Sequence, residues 1–424
     1  MAANRTLKSA KIEQYPKQST TQLYRHVLSL FMFQLIPLVL QATAIAAASA
    51  SKANVLEFSN VGFSGTYKHV SALEDIYSDS CSCSLSDSTT SFSGSNAPLN
   101  EELSVHFRGP LTLSKFAYYV SDNFEVDSGD SEDWERLAYY EASSQTADNV
   151  TFLTKAGKNS SCLGVGLTYA DSDGISKADS STILEEGALL ASNEEFVIFS
   201  NISCGDSGID GDCGVYRSDT PAYHGFYGAI KMFLFEFTMP EETSLKKGSV
   251  SNWNMPAIWL LNSNIPRTSQ YGTNVNCSCW RSGCGEFDVF EIMNYTSSQV
   301  GKLRSTIHDY QGTDDIETGI QVPGYFSRDY KGTMIGGVVF DGSGAVYSFI
   351  SNSTTFNDTI PASSVKSLVS VSDEVATALS SVPVASSTAS GSSSSSSSKD
   401  SSGAHISAFG AVATVIMTIL QMLF

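Results

Sequence analysis

Positive charge is scarce in this chain. Against 44 Asp and Glu it carries 25 Lys and Arg, a formal net charge of -19 over 424 residues. Such a surface repels phosphate backbones, which excludes nucleic acid as a partner. Five basic residues and one acid, Glu13, lie within residues 1–50, so the rest of the chain carries about -23. That acidity suits a hydrated extracellular matrix. Long helical periodicity is missing too, with only a short helix expected around residues 133–142. The acids Asp206, Asp210 and Asp212 miss EF-hand spacing and read as an acidic turn rather than a calcium site. No metal or other cofactor is implied.

All eight cysteines, Cys81, Cys83, Cys162, Cys204, Cys213, Cys277, Cys279 and Cys284, fall beyond residue 50. An even number in a chain with secretory features points to disulfides rather than zinc or redox chemistry. Cys204 with Cys213 is the expected pair, because GDSGIDGD between them makes a tight loop; the other six stay unassigned.

The ends carry targeting signals. Arg5, Lys8, Lys11, Lys17 and Arg25 precede an apolar stretch, residues 27–50, which ends in small residues with A-x-A triplets. That order reads as a secretory signal peptide over residues 1–50, an uncleaved anchor being the alternative. At the other end, residues 408–424 are apolar with no basic cluster behind them, and a polar spacer of small residues precedes them. This is the layout of a glycosylphosphatidylinositol (GPI) attachment signal, residues 404–424, with a short membrane anchor as the alternative. Residues 361–403, with seven consecutive serines, read as an extended stalk. Beyond residue 50, seven N-x-S/T sequons, at Asn149, Asn159, Asn201, Asn276, Asn294, Asn352 and Asn357, agree with a secretory route and glycosylation.

What remains is β-rich. Short apolar runs at residues 103–107, 196–199, 229–237, 257–261, 336–340 and 345–350 recur between Gly, Ser, Asn and Asp clusters. That is the rhythm of an all-β antiparallel sandwich.

The chemistry concentrates in GEFDVFEIMN, residues 285–294. Read as a strand, it sends Glu286 and Asp288 to one face and Phe287 and Val289 to the other. Strict alternation would drive Glu291 into the core, where an unpaired carboxylate is costly. A one-residue bulge near Val289 and Phe290 would return Glu291 to the acid face, and bulges recur beside active sites. Retaining glycoside hydrolysis uses two carboxyls about 5–5.5 Å apart, one attacking the anomeric carbon and one protonating the leaving oxygen. A middle Asp helps to split their pKa values. These readings assign Glu286 as nucleophile, Glu291 as acid/base and Asp288 as the tuning group.

Upstream stand MPAIWLL, residues 255–261, and the turn CSCWRSGCG, with Trp280 six residues ahead of Glu286. PAIWLL followed by W-x-x-G-x-GEFDVFE resembles the catalytic signature of glycoside hydrolase family 16, above all its laminarinase-like β-1,3-glucanases. The resemblance implies a concanavalin-like β-sandwich (jelly roll) and a retaining mechanism, with the same three roles at Glu286, Asp288 and Glu291. The wider pattern is similar to fungal cell-wall glucanases that carry an N-terminal Gly/Ser-rich region. Residues 97–119 (APLNEELSVHFRGPLTLSKFAYY) resemble that region, and residues 338–349 (VVFDGSGAVYSF) resemble the end of the catalytic part. Cys277, Cys279 and Cys284 crowd the turn before Glu286, a departure that puts subsite geometry in doubt.

Trp280, as a sugar platform, and His308, Trp259 and Asn294 are the expected substrate-binding residues, with Tyr295, Tyr310 and Arg281 behind them. The expected layout is an N-terminal wall-protein region over residues 51–125 and the sandwich over 126–360. The expected activity is retaining cleavage of internal β-1,3-glucosidic bonds, with wall β-glucan and a GPI lipid anchor as partners. The expected place is the cell wall or the outer face of the plasma membrane. A transglycosylase using the same carboxylates, and a non-catalytic glucan-binding wall protein, are the rivals.

Overall fold

Apolar side chains two apart along each strand force a layered structure, because each strand has one face to bury. The computed structural model describes residues 51–263, 269–270, 274–312, 316–370 and 375–380. The expected signal peptide, most of the serine-rich stretch and the lipid-attachment signal lie outside the described residues.

In chain order the principal strands are β1 (Val55–Ser59), β2 (Leu103–Arg108), β3 (Leu111–Val120), β4 (Trp134–Glu141), β5 (Thr151–Thr154) and β6 (Glu195–Phe199). They continue with β7 (Lys231–Thr238), β8 (Ala257–Asn262), β9 (Glu286–Ile292), β10 (Lys302–His308), β11 (Met334–Phe340) and β12 (Val346–Ile350). One sheet runs β10-β9-β8-β2-β6-β5 and the other β4-β3-β7-β11-β12-β1. Pairing is antiparallel except at two margins, where Ser51–Lys52 joins Gly324–Ser327 and Val375–Ala378 joins β1 in parallel. The expected all-β sandwich is what forms.

Between the sheets, rings interlock. Phe107 of β2 lies 6.0 Å from Phe235 of β7, Phe290 of β9 lies 5.4 Å from Phe237, and Phe287 lies 5.4 Å from Phe58. Because Phe233, Phe235 and Phe237 face this core, Met232 and Leu234 face the other way. That outer surface is covered by Trp134, Phe124 and the helix α1 (Ala362–Val369), whose Val365 and Val369 are buried.

Two expectations are corrected. The short helix around residues 133–142 is strand β4, antiparallel to β3. Its Trp134, Ala138 and Tyr140 are buried, and a waiting sheet edge overrides local helix preference. The serine-rich stretch does not begin as an extended stalk at Pro361. It opens with α1 and the strand Val375–Ala378, and Leu379 is buried. Strands from before residue 125 pair with strands from after it in both sheets, β3 with β4 and β7 and β1 with β12 in one, β2 with β6 and β8 in the other. Residues 51–125 are therefore woven into both layers.

Candidate active site

The acid motif forms β9, and its register slips where the sequence required. On one side Asp288 pairs with Trp259 and Phe290 with Ile258, leaving Val289 as the extra residue. On the other, Asp288 pairs with Thr306 and Glu291 with Arg304. Val289 and Phe290 both pack into the core. Glu291, half-buried, returns to the side of Glu286 and Asp288, which are nearly buried. Gly285 feeds this strand at φ +95°, where a β-carbon would meet Pro98 and Leu99 at 3.0 Å.

Cross-strand neighbours complete three rows on this face. His308, Glu286, Leu261 and Ser104 form one; Thr306, Asp288, Trp259, His106 and Val197 the next; Arg304, Glu291, Ala257 and Arg108 the third. His308 Nε2 lies 3.2 Å from Asp288 Oδ2, and its Nδ1 donates to the Ile316 carbonyl at 2.5 Å. Arg108 Nη2 donates to Glu291 Oε1 at 2.9 Å and its Nε to the Met255 carbonyl at 2.9 Å. Gln270 Nε2 donates to Glu286 Oε2 at 2.7 Å.

The electrostatics follow from crowding. Burial first, then the charge of Asp288, pushes Glu286 up to about 8 and Glu291 up to about 7. His308 and Gln270 partly offset this at Glu286, and Arg108 at Glu291. Burial opposes a charge on His308, but its bond to Asp288 and the charges of Asp288 and Glu286 outweigh it and raise it to about 9. The cluster thus holds a cation beside the middle acid and retains a proton on its glutamates into the neutral range. Glu286, Asp288 and His308 each place one atom within 4.8 Å of the others, a spacing that also suits a cation.

Trp259 is only 3% exposed and stacks on His106 at 5.0 Å, with the Arg108 guanidinium 5.8 Å away. It lies in the middle row of the sheet face, between His106 and Asp288. Trp280, half-buried, lies 6.0 Å from the His308 ring, on a short turn closed by the Cys279–Cys284 disulfide. Tyr310 donates to the Arg281 carbonyl at 3.0 Å, and its ring lies where a side chain on Gly283 would stand. Both residues thereby brace the Trp280 turn. Tyr295 instead packs on Trp253 at 5.8 Å. Asn294 is exposed and accepts from the Thr296 N–H at 2.8 Å, capping a turn beyond the strand. All seven sequon asparagines are exposed.

The Cys204–Cys213 disulfide is present, beside Cys81–Cys162 and Cys83–Cys277. In the loop it closes, Asp212 accepts from the backbone of Gly205 and Cys213 and faces His224. That carboxylate holds its loop together.

Sequence reasoning missed Ser104, His106, Arg108 and Gln270. The signal was there for the first three, since LSVHFR alternates with Leu103, Val105 and Phe107 inward. Nothing in a spacing links Arg108 to Glu291, 183 residues away.

Two family models match the chain. One is described as "Cell wall protein YJL171C/Tos1, N-terminal" and covers residues 54–121; the other, "Cell wall protein YJL171C/Tos1, C-terminal", covers residues 132–368. The chain belongs to the YJL171C/Tos1 cell wall protein family. In this Tos1-family chain the seam between the two matches falls between β3 and β4, which are paired strands. Relatives include a Candida albicans protein named "Probable circularly permuted 1,3-beta-glucanase PGA52", 62% identical over 83% of this chain and 91% of that protein. Saccharomyces cerevisiae proteins named "Probable circularly permuted 1,3-beta-glucanase YJL171C" and "Probable circularly permuted 1,3-beta-glucanase TOS1" are 52% and 33% identical. Those two matches cover 86% and 73% of this chain, and 90% and 88% of the relatives. No solved structure matches the chain.

Proposed function

We propose that this protein is a retaining glycosidase that cleaves internal β-1,3-glucosidic bonds of cell-wall glucan. The observation that carries the reading is the bulge at Val289, which sets Glu291 on the same face as Glu286 and Asp288. The relatives' names support the substrate, and the weaving of early strands β2 and β3 between late ones agrees with the permutation those names describe.

In this mechanism the two glutamates share one proton, and in the reactive form Glu291 carries it while the ionised Glu286 attacks the anomeric carbon. The bond to the leaving oxygen breaks, and Glu291 passes its proton to that oxygen. Glu291 then takes a proton from water, whose oxygen displaces Glu286 from carbon and frees the sugar with retained configuration. Asp288, held by His308, keeps the two glutamates from ionising together. The fold is of the family 16 kind in this reading, with residues 1–50 as a secretory signal. The lipid attachment near the C-terminus and glycans on the seven exposed asparagines belong to the same wall-bound life.

Replacing Glu286 or Glu291 by Gln should abolish reducing-end release from laminarin, a loss of at least about a thousandfold, while circular dichroism stays unchanged. Equal activity in wild type and both variants would sink the assignment.

A further inference from the structure

Beside the acids, across the same sheet face, lies a cavity of about 350 Å³. Ligand pockets run from about 300 to 1,000 Å³, so it holds a small group or a short stretch of a longer one. Its floor is Ser104 and His106 of β2 with Val197 and Phe199 of β6. Gln270, whose amide holds Glu286, lies on its rim, so cavity and acids are contiguous. From β9 to β6 is three strand steps, about 14 Å.

The far side is walled and braced. Arg217, buried, donates to the carbonyls of Gly164 at 3.0 Å and Lys158 at 2.7 Å, holding the loop that carries Val165. Cys162 in that loop is tied to Cys81. Lys155 stands at the same end, paired with Glu195. An extended polymer lying along the rows from Glu286 toward β6 would meet this wall.

The floor is chemically unfinished. Ser104 donates its hydroxyl to the Leu261 carbonyl at 3.2 Å, so its oxygen accepts from His106 Nε2 at 2.9 Å. That fixes the tautomer and makes Nδ1 an acceptor. Burial and Lys155 keep the ring neutral. Among the described residues Nδ1 has no partner, and neither has Gln270 Oε1. Two acceptors short of donors beside Phe199 and Leu261 describe a site for a ligand with both hydroxyls and apolar ring faces.

We propose that this cavity is a closed subsite that takes up one end of a β-glucan chain. The scissile internal bond then lies a fixed, short count of sugar units from that end. His106 is a binding residue here, receiving a sugar hydroxyl. The proposal rests on the glucan reading above, and its test separates the two.

Titrate the Glu286→Gln protein with laminarioligosaccharides of increasing length by calorimetry. Affinity should rise with length and then level off. Adding His106→Ala should lower the plateau affinity roughly tenfold. Adding Val165→Trp, at an exposed position of the wall, should remove the gain from the longer chains. With wild type, early digests of reduced laminarin should contain one short product size, and Val165→Trp should shift it. A ladder of all sizes from the first minutes, or length-dependent affinity untouched by Val165→Trp, overturns the closed subsite and leaves the glycosidase reading standing. Length-limited, Val165-sensitive binding by a wild type that releases no sugar does the reverse.

Discussion

At the scale of single residues, the site is a problem of too many acids in too little water. Unfolded, Glu286 would lose its proton near about pH 4.3; folded, burial and Asp288 hold it up to about 8. Between those values the folded state binds the extra proton. The stability this contributes is full below the lower value and is lost as pH rises through the upper one. Glu286→Gln removes that term, so its melting temperature should fall less than that of wild type between about pH 5 and pH 8. Parallel curves by calorimetry would reject a raised Glu286. The three acids were legible because no fold needs them on one short apolar segment. Their regulators were legible only in part. His308 stood out on a neighbouring strand, but Arg108 and His106 sit in a segment that reads as an N-terminal extension, and their meaning comes from register with β8.

At the scale of elements, a bulge of one residue keeps the last acid of β9 on the face of the other two. Deleting Val289, the extra residue, should leave a regular E-x-D-x-E strand with Glu291 still on the acid face beside Arg108, at the loss of one buried side chain. A loss of about 1.5–3 kcal/mol is expected from that side chain, with measurable activity kept. Chemical denaturation and laminarin assays check both, and a stable deletion variant with no activity would mean that the bulge itself sets the spacing of the acids. The bulge could be anticipated because an unpaired core carboxylate is worse than a kinked strand. Strand β4 could not, because WERLAYYE suits a helix until β3 offers it an edge. The packing of α1 was hidden for a related reason: Val365 and Val369 look sparse among serines, and only the apolar back of the second sheet gives them a partner.

At the scale of the molecule, disulfides bind the N-terminal hairpins to the rim of the site. Cys83–Cys277 closes a separation of 194 residues and anchors the turn that leads to Trp280. Opening it with Cys83→Ala and Cys277→Ala should cost about 2–4 kcal/mol and raise the KM for laminarin several-fold as the Trp280 turn loosens. An unchanged melting temperature and KM would show that the remaining contacts suffice. Pairings of this reach were beyond the sequence, since six cysteines allow fifteen connectivities.

The placement of β2 between β8 and β6 also sets an order of events. The ribosome delivers β2 and β3 early, yet both neighbours of β2, β6 and β8, and one neighbour of β3, β7, are made much later in the chain. Until then both strands expose open edges and apolar faces, the condition under which nascent chains aggregate. The sandwich is complete only once β12 has emerged, so the compartment in which this chain matures has to shelter an unfinished sandwich through most of its synthesis.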